Sequence, residues 1–425
     1  MLKKFSILGV IVLVLLALSV SLVGAQDEIT LRWRTRPDNQ AEIDVYQAAS
    51  DAIDAAMDGV TLVYEPGGSE TSSYQDVLIT ELTAGTAPDV FWIPGTDIAR
   101  FAELGVILNL ADFAAADEDF NADDFYSLPM RHLTTALEEG VDTLWGLPRD
   151  VSSFAIYYNA DLFAEAGIPT PNEVENWDWE AFREAAEAIN DLGDEIKGYG
   201  QNAWWGPWGV WVNGAGSSFF NEDFTACGLN NDATVVGLEF AAGLYADDLA
   251  VPWGEDSEPP FLAGNVGMFQ NGRWAVPGVA ANADFEWDVA PLPEGPANNG
   301  NWLFWGAYVV NADTENPEAA WNLVRELTSA EIQGQIANLG ANIPSRSTPE
   351  AQELFLNTVP ELGINNQAFL DGALGAPAAE APLFFGDWPA IDAEYGAQVS
   401  RVLNGELSAQ EFADTICDRV AGSFE

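Results

Sequence analysis

Sixteen tryptophans in 425 residues are the side chains here best equipped for chemistry, and the chemistry they offer is recognition. They gather where the chain turns. Trp204, Trp205, Trp208 and Trp211 share one glycine-rich stretch, and Trp302 and Trp305 share another. Trp92, Trp274 and Trp388 stand singly at the ends of elements. An indole supplies a large rigid apolar face at low entropic cost. Set beside carboxylates, amides and arginines, it suits a ligand with apolar faces and polar edges, which describes a sugar ring. Core packing is the alternative for any single tryptophan. The run Ala203 to Val212 reads as less core-like, because its glycines add nothing to packing and loosen the backbone.

Catalytic arrangements are harder to find. One histidine, His132, argues against a histidine metal site and against a Ser-His pair. No His or Cys cluster has metal-ligand spacing, Gly67-Gly68-Ser69 is too short for a phosphate-cradling loop, and Gly209-Val210-Trp211 is no nucleophile elbow. The sequence therefore implies no cofactor and no metal. The paired carboxylates of a secreted glycoside hydrolase would be invisible among 67 acids, so that reading stays open.

Lys3 and Lys4 precede an uncharged run from Phe5 to Gly24, with Val23-Gly24-Ala25 supplying small residues. That is the layout of a cleaved secretory signal over 1–25; an uncleaved anchor helix is the alternative. No cysteine lies near the site to carry a lipid. The mature chain is expected to be exported, periplasmic or cell-surface associated, and monomeric. Hydrophobic residues make up 48%, enough for real cores, and the length suits two domains. The formal charge of −52 becomes about −54 without the leader, 67 acids against 13 bases. Such a surface repels nucleic acid and anionic membranes. Cys227 and Cys417 are a plausible disulfide in an exported protein, with two buried free thiols as the alternative.

The elements that must position the tryptophans alternate strictly at first. Strands at Ile29–Arg34, Val60–Tyr64 and Val90–Ile93 are each followed by a helix: Ala41–Met57, Ser73–Ala84 and Asp97–Leu104. This calls for a parallel doubly wound sheet, with ligands at the carboxyl ends of the strands. That rim carries Arg34, Arg36, Glu65, Ser69, Glu70 and Asp97. The stretch from Leu144 to Ile168 is the pivot: a Trp-Gly-Leu-Pro turn, the polar mouth Arg149, Asp150, Ser152 and Ser153, and an aromatic strand Phe154–Tyr158. A second α/β unit follows, with helices from Trp179, Asp232 and Trp388 and an aromatic strand Trp302–Val310.

Several of these segments resemble one family. Leu82-Thr83-Ala84-Gly85-Thr86-Ala87-Pro88-Asp89-Val90-Phe91 is similar to a signature of extracellular solute-binding proteins of ABC importers, in the maltose-binding-protein-like sugar branch. Gly146-Leu147-Pro148 through Tyr157-Tyr158-Asn159-Ala160-Asp161-Leu162-Phe163 resembles that family's hinge. Gly272-Arg273-Trp274, Asp288-Val289-Ala290-Pro291-Leu292-Pro293 and Asn316-Pro317-Glu318 follow in the family's order. The resemblance implies an α/β, two-lobed periplasmic-binding-protein fold of type II. Each lobe would be a doubly wound sheet, the lobes joined by crossing strands, and the ligand held in the cleft. The N-terminal lobe would be 26–150 plus 305–342 and the C-terminal lobe 151–304 plus 343–425.

The function implied is a receptor that hands a carbohydrate to an ABC permease, not an enzyme; a polyamine or a glycerol phosphate ester is the alternative cargo. Trp92, Trp274 and Trp388 match sugar-stacking positions, Trp204 or Trp205 more loosely, and Ser152 takes a polar hinge position. Arg34, Tyr74, Asp97 and Asp150 are candidate hydrogen-bonding groups. Trp305 stands where the family usually shows a glycine pair; as a stacking residue it would narrow the cleft and favour a mono- or disaccharide. Trp388→Ala is expected to weaken binding with little loss of folding.

Overall fold

The computed structural model describes residues 29–37, 40–67, 71–137, 139–379 and 386–424. The proposed leader and the rim residues Ser69 and Glu70 lie outside them. Eleven strands form two sheets among the described residues: β1 (Ile29–Thr35), β2 (Val60–Pro66), β3 (Val90–Pro94), β4 (Leu147–Ser152), β5 (Phe154–Asn159), β6 (Lys197–Gln201), β7 (Val266–Gly272), β8 (Trp287–Ala290), β9 (Trp302–Val310), β10 (Ile343–Pro344) and β11 (Ala378–Ala379). The first sheet runs β10-β4-β9-β3-β1-β2, with β11 beside β9; the second runs β6-β7-β5-β8.

The strict alternation at the start of the chain produces what helical crossovers demand, three parallel strands with β1 between β2 and β3. Both sheets are nevertheless mixed. β9 enters the first sheet after the chain has built the second, so it runs antiparallel to both β3 and β4, and β5 is antiparallel to β7 and β8.

One residue, Ser153, separates β4 in the first sheet from β5 in the second. β5 reads FAIYYN and every residue is buried, the mark of a strand covered on both faces. Ala155 and Tyr157 join a core that reaches into the first sheet, whereas Phe154, Ile156 and Tyr158 join the core of the second. Asn159 then caps the next helix, accepting from the backbone N–H of Asp161 and Leu162, and Gly167 closes it in the left-handed conformation at φ 69°.

The glycine-rich tryptophan run is a helix, Trp205–Gly214, and all of it is buried. Its glycines admit rings rather than loosen the backbone. A β-carbon at Gly209 would lie 2.6 Å from the Trp302 ring and 2.9 Å from Phe219. Trp205, Trp208 and Trp211 all belong to the buried core, so only Trp204 of the four keeps a partly exposed ring. Cys227 and Cys417 are joined by a disulfide that ties the loop after Phe220 to helix Ala409–Val420. No helix among the described residues is long and apolar enough to cross a membrane.

Candidate functional site

The site is laid out along one face of β9. Directly opposed residues of antiparallel strands share a face. Asp150 opposes Gly306 and Ser152 opposes Phe304 on β4, while Trp92 opposes Tyr308 and Pro94 opposes Gly306 on β3. Trp92, Asp150, Ser152, Phe304 and Gly306 therefore look the same way. Phe304 and Gly306 are about 7 Å apart along the strand, and a different aromatic wall rises beside each.

Trp92 is the wall at Gly306. The residue is 6% exposed and its indole lies against the strand, where a β-carbon at 306 would be 2.2 Å from Nε1. The Tyr74 hydroxyl donates to the Trp92 carbonyl at 2.7 Å. Two guanidinium groups lie over the ring, Arg149 at 4.7 Å and Arg36 at 5.0 Å from its centroid. Arg149 is directed there by a register shift between Pro148 and Asp150. It donates from Nε to Asp150 Oδ2 and from Nη1 to Thr35 Oγ1, both at 2.9 Å. Burial alone would lower its pKa; Asp150 beside it holds it well above the usual value. The Trp92 Nε1 hydrogen is buried and meets no acceptor, an unmet demand inside a protein.

The wall at Phe304 comes from the second sheet. Phe304 meets Phe154 at 4.6 Å, Trp274 at 5.2 Å, Trp204 at 5.7 Å and Trp205 at 5.8 Å between ring centroids. Trp388 backs this group, 5.9 Å from Trp205. Trp204 and Trp274 are partly exposed, while Trp205 and Trp388 are buried. The two walls are tied at their base, for the backbone N–H of Arg273 donates to Ser152 Oγ at 3.1 Å. Nearby, the Asn301 amide accepts from Phe154 N–H and donates to Phe154 C=O, both at 2.9 Å, clamping the two crossing segments together.

Trp204, Trp205, Trp274 and Trp388 thus come together; Tyr74 and, through Arg149, Asp150 join Trp92, while Ser152 stands at the second wall beside Phe304 and Arg273. Three candidates are placed elsewhere or otherwise engaged. Trp305 opposes Val151 on the other face of β9, 3% exposed, against His132 at 5.9 Å and Gly95, whose β-carbon would lie 2.6 Å from its ring. It does not stand on the Trp92 face, so the argument for a cleft narrowed by Trp305 loses its basis. Arg34 is taken up by Glu81 at 2.6 Å and Glu65 at 2.7 Å. Asp97 accepts from the Gln75 amide, and burial raises its pKa.

Sequence reasoning passed over Arg149, Phe304 and Asn301 as site residues. Arg149 and Phe304 were visible at the strand mouths, but a register shift and a strand face are tertiary facts. Asp392 lies one helical turn beyond Trp388, and burial pushes its carboxyl up to about 6. Among the described residues no acidic, histidine or cysteine cluster could hold a metal ion.

A two-sheet α/β molecule with aromatic walls flanking a shared crossing strand is the architecture of a solute receptor, and sequence comparison agrees. Residues 41–334 match the bacterial extracellular solute-binding protein family, and the chain belongs to it; the family consists of binding proteins of ABC importers, not enzymes. Its fold is the two-lobed one of that family. The ABC substrate-binding protein from Listeria monocytogenes, solved with cycloalternan, superposes with a TM-score of 0.79 at 20% identity, over 93% of this chain and 99% of that one. The GacH receptor of Streptomyces glaucescens, solved unliganded and with acarbose, gives 0.76 at 21% identity, over 93% and 98%. The galactooligosaccharide-binding protein of Bacillus subtilis (strain 168) is 26% identical over 254 residues, 56% of each chain.

Proposed function

We propose that the protein is an exported carbohydrate receptor that delivers its ligand to an ABC permease by closure of two lobes, 26–150 plus 305–342 on 151–304 plus 343–425. The observation that carries this reading is the pairing of partly exposed indoles, Trp204 and Trp274, with a polar opposite wall, the Trp92 Nε1 donor and the Arg36 and Arg149 guanidinium groups. Rings stack on the former, and a hydroxyl oxygen satisfies the Trp92 donor beside the two guanidinium groups. Trp92 serves as an edge donor, because two guanidinium groups already occupy its ring. That same crowding counts against a polyamine, since the ring that would hold an ammonium already carries cations.

Ligand contacts on both walls favour the closed form by their differential affinity for it. The test is a thermal-shift screen of the purified protein against mono- to tetrasaccharides, polyamines and glycerol phosphate esters, followed by calorimetry and recovery of the ligand. A sugar that stabilises the protein and is recovered unchanged supports the reading. Cleavage of that sugar, or a hit confined to the polyamines or phosphate esters, overturns it.

A further inference from the structure

Beside the second wall, where Phe220 packs on Trp388, one aromatic side chain reaches from the second unit to the first. Phe224 sits at the tip of the loop between Phe220 and Cys227, which pair as an isolated antiparallel bridge. Its φ is +58°, the left-handed region that a phenylalanine occupies only when its surroundings impose it. The imposition is visible. Asn221 accepts from Thr225 N–H at 2.8 Å and Ala226 N–H at 3.1 Å, and Phe224 N–H donates to the Asn221 carbonyl at 3.0 Å. Cys227, bonded to Cys417, pins the base of the loop.

The loop thus holds Phe224 out toward helix Ser127–Leu133 of the first unit. There Arg131 lies over the ring, its Cζ 5.2 Å from the centroid, and His132 lies 5.9 Å away. His132 in turn rests 5.9 Å from Trp305, so the contact continues into β9. It borders a cavity of about 500 Å³ lined from both units, by Leu128, Arg131 and His132 on one side and Phe219, Phe220 and Trp302 on the other. Burial holds His132 at a pKa of about 4, leaving Arg131 as the cation facing the ring at neutral pH.

We infer that Phe224, clasped by Arg131 and His132, is a positioning residue that latches the two units together and thereby sets ligand affinity. A loop fixed in a costly conformation and stapled by a disulfide presents one ring to a cation on the opposite unit, and that contact exists only while the units are together. The inference rests on the hinge-closure reading above.

The experiment uses the full mature chain without ligand, so its result is independent of which solute binds. Small-angle scattering and amide hydrogen exchange are compared for wild type, Phe224→Ala, Arg131→Ala and Phe224→Tyr. Loss of a cation–ring contact is expected to open the molecule. The radius of gyration should rise, and amides in 127–133 should exchange about two- to fivefold faster in both alanine variants, with Phe224→Tyr restoring wild-type behaviour. Arg131 is exposed, so its variant keeps the test valid if Phe224→Ala fails to fold. Unchanged scattering and exchange in the folded alanine variants would overturn the latch and leave the sugar reading standing. Failure of every sugar in the screen would overturn the sugar reading and leave the latch result as measured.

Discussion

The indole of Trp92 and the backbone of Gly306 fit together because residue 306 has no side chain: a β-carbon there would lie 2.2 Å from Nε1. The pair joins β3 to the crossing strand at the point where the two aromatic walls approach each other. Gly306→Ala must displace a rigid ring, not the end of a flexible chain. Overpacking of this kind costs about 1–3 kcal/mol. Urea denaturation should show that loss, and calorimetry with the screened sugar should show weaker binding, because the Trp92 donor moves. A variant as stable and as tight-binding as wild type would mean that the indole is not seated there.

Trp274 and Trp388 are expected to separate binding from folding. Trp274 is partly exposed, and Trp274→Ala should weaken sugar binding by about 1 kcal/mol or more with the fold retained. Trp388 is 9% exposed and packed against Trp205 and Phe220, so its burial predicts a loss of folding where the sequence alone suggested little. Trp388→Ala should cost about 3–5 kcal/mol of stability. Paired melting and binding curves for both variants decide the matter; a Trp388→Ala protein melting like wild type would return Trp388 to the ligand wall alone.

Asp392 makes stability depend on pH. Burial raises its carboxyl from the ordinary 3.8 to about 6, so between those values the folded chain holds more protons than the unfolded one. Stability from this group is therefore greatest below pH 3.8 and falls as pH rises through about 6. Asp392→Asn removes the ionisation and should raise the melting temperature at pH 7 relative to wild type, with the difference shrinking toward pH 4. An identical pH profile for the two proteins would place the carboxyl in water.

The disulfide spans 190 residues of sequence, and closing so long a loop restricts the unfolded chain strongly. Replacing Cys227 and Cys417 by serine should lower stability by about 2–5 kcal/mol. Melting temperatures with and without reductant test this, and reductant should leave the double serine variant unchanged.

Some of this was legible before any coordinates. Alternation of strand and helix over residues 29–104 specifies parallel strands, because a helical crossover returns the chain in the same direction. The unbroken apolar run of β5 marks a strand covered on both faces. Tryptophans beside glycines at chain turns marked the region of the walls. Their division into platform and core was not legible: Trp204 and Trp208 stand four residues apart, one partly exposed and one fully buried, because what covers Trp208 is Phe219, stacked 4.5 Å away.

By itself, then, the sequence determined the kind of molecule: the order of its first elements, a passage between two units within Leu144–Ile168, and a store of aromatic and polar side chains suited to a ring-shaped ligand. Only the tertiary structure decided which of them meet. Trp305 falls on the far face of β9 because side chains alternate along a strand, and its neighbours Phe304 and Gly306 take the near face. Arg149 reaches Trp92 through a register shift against β9, and Arg34 spends its charge on Glu65 and Glu81. Local propensity acts over a few residues, whereas strand register and facing are set by partners more than a hundred positions away, and those distant pairings assemble the site.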